Sequence, residues 1–173
     1  MITSRYVMLS AASMWITACA VRAAPASTAI EVEREQCDSG FTDASTIRLL
    51  KTVTVIDAEP IYSHIMTNGT NSEERVAGAK ILIRPPAGVS LEEMTRALQC
   101  HGARALLGRI DRSELPDDPL WLPDAWVTIT VEGEQGNYAV KLEANSVPNN
   151  LKLAAHAMSF ANAHPWRAAG NPL

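Results

Sequence analysis

The order of elements legible in this 173-residue chain predicts an α+β fold: a two-layer sandwich in which an antiparallel four-stranded sheet carries two helices on one face. Three observations carry that expectation. "WVTITVE" and "NYAVKLEA" alternate apolar and polar residues around a "GEQG" link, the pattern of a hairpin with one buried face. "SLEEMTRALQCHGARALLG" opens on a helix-capping signal and then repeats apolar residues at helical spacing. A second helical stretch, "SVPNNLKLAAHAMSFANA", closes the domain. With a strand pair ahead of the first helix, the order is β-β-α-β-β-α. The repeat is topological; the two halves do not align in residues.

The N-terminus reads as an export leader. Arg5 is followed by no charged residue until Arg22, and small residues such as Ala18, Ala20 and Ala23 flank possible cleavage points. The uncharged run is short and rich in Ser, Thr and Ala, unlike the roughly 20 apolar residues of a membrane span. Two boundaries compete: a signal peptide over 1–23, or one over 1–18 with Cys19 as the lipidated first residue. "WITAC" resembles a bacterial lipobox, and that resemblance is what assigns a lipid to Cys19. Without the leader, 13 cationic residues face 19 acidic ones, a net charge of −6. Such a domain lacks the basic stripe that nucleic acid requires. Its only expected membrane link is the lipid.

Residues 24–45 lack sustained periodicity and read as a tether. A single domain is expected over 46–165, with regular structure beginning near Ile47. "TVTVIDAEPIYSHIM" is rich in β-branched and aromatic residues, and Pro60 marks it as an edge or an interruption. "TNGTNSEE" reads as a polar loop, and "VAGAKILIRPP" as a strand with Ile81 and Ile83 on one face. The first helix follows from Ser90, with Leu91, Met94, Leu98 and Ala105 on its stripe; Gly102 weakens its last turns. "RIDRSELPDDPLWLPDAW" is a Pro/Asp-rich connection. In the closing helix Leu151, Ala154, Ala155 and Met158 form the apolar stripe, while His156 lies with Lys152 and Ser159 on the wet side. Pro165 stops it, and 166–173 reads as a frayed tail.

Cys100 and His101 are adjacent, which invites a nucleophile–base pair. At about 100° per residue, His101 falls within about 20° of Met94, whereas Cys100 lies about 180° from Leu91. The side chains diverge, so the hydrogen bond such a pair needs is not available. In an exported chain, Cys37 and Cys100 are expected to form a disulfide pinning the tether to the domain. His101 is expected as a packed, hydrogen-bonded core residue.

Metal chemistry has one candidate pair. His64 and Met66 alternate on a strand and share a face, and imidazole with thioether suits copper as Cu(I). His101 or a reduced Cys100 is the candidate third ligand. His156 and Met158, on a helix, point about 160° apart and cannot share an ion. No C-x-x-C, H-E-x-x-H or calcium-loop spacing occurs. Asp111, Glu114, Asp117, Asp118 and Asp124 read as solvated loop charges. Trp121 and Trp126 on the same connection offer a ligand or partner contact, or, as preferred for Trp121, a plug pinning the loop. No Gly-rich phosphate loop and no G-x-S-x-G is present.

Residues 76–163 resemble uncharacterised exported proteins of bacteria, of a lipoprotein type, through an R-x-P-x-G strand end and a helix ending C-H-x-A-R. Arg84, Pro86, Gly88, Cys100, His101, Ala103 and Arg104 carry the match. The resemblance implies bacterial origin and no activity; the leader, with or without a lipid on Cys19, is what implies export to the periplasm or outer membrane. The expected function is therefore a non-catalytic binding or interaction module of the envelope, meeting another envelope protein or a small ligand. The alternative is a periplasmic soft-metal protein. No catalytic constellation is legible.

Overall fold

The computed structural model describes residues 25–37, 42–67 and 71–165. The leader over 1–23, Cys19 and the tail over 166–173 lie outside the described residues. Two helices come first, α1 (Pro25–Gln36) and α2 (Asp43–Thr52). A hairpin of β1 (Val55–Thr67) and β2 (Asn71–Ile83), the helix α3 (Leu91–Leu106), a second hairpin of β3 (Val127–Glu134) and β4 (Asn137–Ala144), and α4 (Val147–Ala163) follow. The sheet is antiparallel throughout, in the order β1-β2-β4-β3.

The sandwich is the one the sequence predicts, because alternation on three strands builds one apolar face. Ile81 pairs with Val140, which pairs with Val131, and Ala79, Leu142 and Ile129 form the next row. All six are buried. Met94 and Leu98 of α3 and Leu153, Ala157 and Phe160 of α4 complete the same core. The α3 cap forms as expected: Glu93 N–H donates to Ser90 Oγ at 3.2 Å and Ser90 N–H to Glu93 Oε2 at 2.8 Å. Gly102 does not end that helix. A Cβ there would stand 3.1 Å from Ile129 Cδ1, so the missing side chain lets α3 lie close to β3. Gln135 and Gly136 both take positive φ, 51° and 82°, as the tight β3–β4 turn requires.

Four expectations are corrected. The stretch taken as a tether contains α1, started by Pro25 at a first helical position and shaped by its contacts with α3. Regular structure begins before Ile47, with α1 and with α2, which contains that residue. Thr42 caps α2 by accepting from Ser45 N–H at 3.2 Å, and Ile47 and Leu50 share its buried face. The loop expected after Thr67 is mostly strand, since β2 begins at Asn71. Finally, α4 is rotated from its expected phase. It buries Asn150, Leu153, Ala154, Ala157 and Phe160, while Leu151 and Met158 are exposed. Asn150 Oδ1 accepts from Ala144 N–H at 2.7 Å, fixing that phase against β4.

The β1–β2 hairpin is longer than the sheet. β2 pairs with β4 only over Ala79–Ile83, so beyond Gly78 the hairpin continues as a two-stranded ribbon. Gly78 marks the parting point, where a Cβ would collide with the Leu142 carbonyl.

Candidate functional site

Cys100 and His101 answer to different neighbours, as their helical positions require. Cys100 faces outward and is joined to Cys37 at the end of α1, with Cα atoms 5.2 Å apart. His101 faces inward, has no exposure, and shares a hydrogen bond with Asp118: Nε2 to Oδ2 is 2.9 Å. The other Asp118 oxygen accepts from Leu120 N–H at 2.9 Å. The bond commits the Nε2 side of the ring to Asp118, and the opposite nitrogen, Nδ1, is buried without a hydrogen-bond partner among the described residues. A carboxylate holding an imidazole is a familiar acid–base device. Here the ring is sealed from solvent, so the pair acts as a strut between α3 and the connection to β3.

Asp118 is therefore not the solvated loop charge expected; its side chain is 2% exposed. Sequence did contain the signal, since a histidine on a buried stripe needs a polar partner and an acidic segment follows that helix. His156 also departs from expectation. It is half-buried against the connection, lining a pocket of about 80 Å³ with Arg112, Pro116, Asp117, Asp118 and Ser159. Burial pushes its pKa down from 6.5; Arg112 adds to this, Asp118 opposes it, and Lys152 adds a smaller push down. Ligand pockets usually measure about 300–1,000 Å³, so this space suits water better than a metabolite.

The other residues of the C-H-x-A-R and R-x-P-x-G patterns hold structure as well. Arg104 reaches Asp43 of α2 at 2.8 Å and Glu33 of α1 at 3.3 Å, and Arg109 reaches the same Glu33 at 2.6 Å. Ala103 is fully buried. Gly88 has φ 75°, the left-handed conformation that favours glycine, in the turn closed by Val89 N–H donating to the Pro86 carbonyl. Arg84 N–H donates to the Thr54 carbonyl at 3.0 Å, tying the end of β2 to the start of β1.

The candidate metal ligands are not assembled. His64 and Met66 do lie two apart on one side of the ribbon, opposite Glu74 and Ser72. Ser72 Oγ is 3.5 Å from His64 Nδ1. His101 is instead committed to Asp118 inside the domain, and Cys100 is in a disulfide. Among the described residues no group of three His, Cys, Asp or Glu side chains is placed to hold a metal.

The two tryptophans separate. Trp121 packs on the cluster of Ile47, Ala105 and Ile110, with the Arg112 guanidinium 5.9 Å from its ring centroid; it is the plug. Trp126 is half-buried in a surface groove of about 220 Å³ shared with Pro25 and Thr28 of α1. Large apolar side chains stand free elsewhere: on the ribbon, Tyr62 is 54%, Ile65 41% and Met66 67% exposed. Among the described residues no helix is long and apolar enough to cross a membrane. No protein-family model, curated protein or solved structure matches this chain.

Proposed function

We propose that this is an exported bacterial envelope protein, carried to the periplasm or outer membrane. It acts as a non-catalytic interaction module that offers its β1–β2 ribbon to a partner. The carrying observation is the exposure of Tyr62, Ile65 and Met66 on a ribbon that outruns the sheet. Apolar side chains of that size cost free energy in water and contribute nothing to the core from there. The Cys37–Cys100 disulfide supports an oxidising compartment.

A photo-crosslinking residue at Met66, in cells, should give one discrete adduct, and the same residue at the exposed Glu92 of α3 should give none. Absence of adducts from Tyr62, Ile65 and Met66 alike would remove the basis for this reading. The anchor is tested separately. Cys19→Ala should lower the protein's mass by the acyl groups and move it to the soluble fraction; no change in either rejects the lipid.

One observation favours the soft-metal reading: His64 and Met66 are both exposed on one side of β1. Titration with Cu(I) decides it. Binding tighter than about micromolar that His64→Ala abolishes supports a copper site, and weaker binding eliminates it.

A further inference from the structure

Every open sheet has two edges, and an edge strand exposes unpaired backbone groups to any second strand. In this sheet the edges are β3 and β1. β3 is guarded: α3 packs against it, and Gln99 Nε2 donates to the Ile129 carbonyl at 3.2 Å. The first half of β1 is guarded too. Asp57 and Glu59 charge it, Pro60 removes a donor, register irregularities fall at Val55/Asp57 and Ile61/Tyr62, and Pro165 bridges Val55. Past the irregularity at Ile61/Tyr62 these devices stop.

Ile61-Tyr62-Ser63-His64-Ile65-Met66 contains no carboxylate, lysine, arginine or proline, and is rich in residues that favour strands. The facing strand of the ribbon carries Glu73, Glu74 and Arg75. One edge of the ribbon is therefore charged and the other neutral. In a chain of net charge −4, self-association through charged surface is repelled, and this segment escapes that cost.

We infer that residues 62–66 pair with the same residues of a second copy, antiparallel about a two-fold axis at His64. The two four-stranded sheets then form one continuous sheet. In that register Tyr62 meets the partner's Met66, and Met66 the partner's Tyr62, a favourable sulfur–aromatic contact made twice. Ser63 meets the partner's Ile65, and no carboxylate faces another. An isologous contact of this kind closes on itself and stops at two copies. The inference rests on the reading of the ribbon as a contact surface and names the occupant.

Sedimentation equilibrium of the purified protein with its disulfide intact should show a dimer. His64→Lys puts two cations across the axis and should weaken it at least about tenfold. Glu74→Lys, on the facing strand, should not change it by more than about threefold, and His64→Val should keep it. If His64→Lys fails to fold, His64→Cys provides the second measurement. A residue on the axis faces its own copy and should form an interchain disulfide on oxidation, whereas Ser72→Cys should not. A monomeric wild type, or a dimer indifferent to His64→Lys, overturns the inference. A monomer whose Met66 still crosslinks to a different protein in cells refutes self-pairing alone; a monomer without adducts refutes the ribbon reading as well.

Discussion

The Asp118 carboxylate is the most demanding group in the molecule, because it is buried and both of its oxygens are committed. His101→Leu leaves a buried Asp118 oxygen without its hydrogen-bond partner, which should cost about 2 kcal/mol in urea unfolding. His101→Leu with Asp118→Leu should recover part of that loss, since neither polar side chain of the pair stays buried. A single variant as stable as wild type would show that the pair holds nothing. His156 brings a pH dependence of definite sign. Its folded pKa lies below 6.5, with burial the largest cause, so the unfolded chain binds its proton first as the pH drops. Stability from this group is complete well above pH 6.5 and is lost as the pH falls through 6.5 towards the folded value. His156→Gln should flatten the fall in urea midpoint between about pH 7.5 and about pH 5.5; a steeper fall in the variant would contradict the assigned environment.

At the scale of elements, α1 is held differently from the rest. Ala29 is its one fully buried residue, worth about 1 kcal/mol for its methyl. The ion pairs of Glu33 with Arg104 and Arg109 are part-exposed and add at most about 1 kcal/mol each. The disulfide closes a separation of 63 residues, worth about 4 kcal/mol in chain entropy. The bond outweighs the packing. Reduction with dithiothreitol should therefore free α1 to exchange its amides, while β2 and β4 stay protected. Continued protection of α1 after reduction would mean that packing alone suffices. The phase of α4 is not set by its own sequence. "LKLAAHAMSFANA" has small or apolar residues on several faces, so helical periodicity alone permits more than one stripe. Phe160, Leu153 and the Asn150 bond to β4 choose among them. The α3 stripe was legible because polar residues isolate it and Ser90 sets its start.

Across the whole molecule, what could be read from sequence was what local chemistry fixes. The α+β class, the second hairpin, the capping box, the opposed directions of Cys100 and His101 and the Cys37–Cys100 bond all follow from neighbours in the chain or from counting thiols. What could not be read depends on contacts across it. α1 takes its place from a bond to α3, Asp118 from a histidine 17 residues earlier, and the length of the ribbon from where β4 stops pairing. The core makes the same division. Its members on the first hairpin are Val55, Ala58, Val76, Ala79, Ile81 and Ile83, so it receives nothing from between Ala58 and Val76. Folding and the projecting ribbon should then be separable. Tyr62 and Val76 are register partners, so an Asn-Gly turn can replace 63–75 and close the hairpin at its root. That variant should unfold within about 1 kcal/mol of wild type, since it loses exposed surface and no core residue. It should also be monomeric and, with the crosslinking residue moved to Tyr62, give no adduct in cells. A large loss of stability on trimming would make the ribbon part of the cooperative core, and the case for it as a surface held out to a partner would fall.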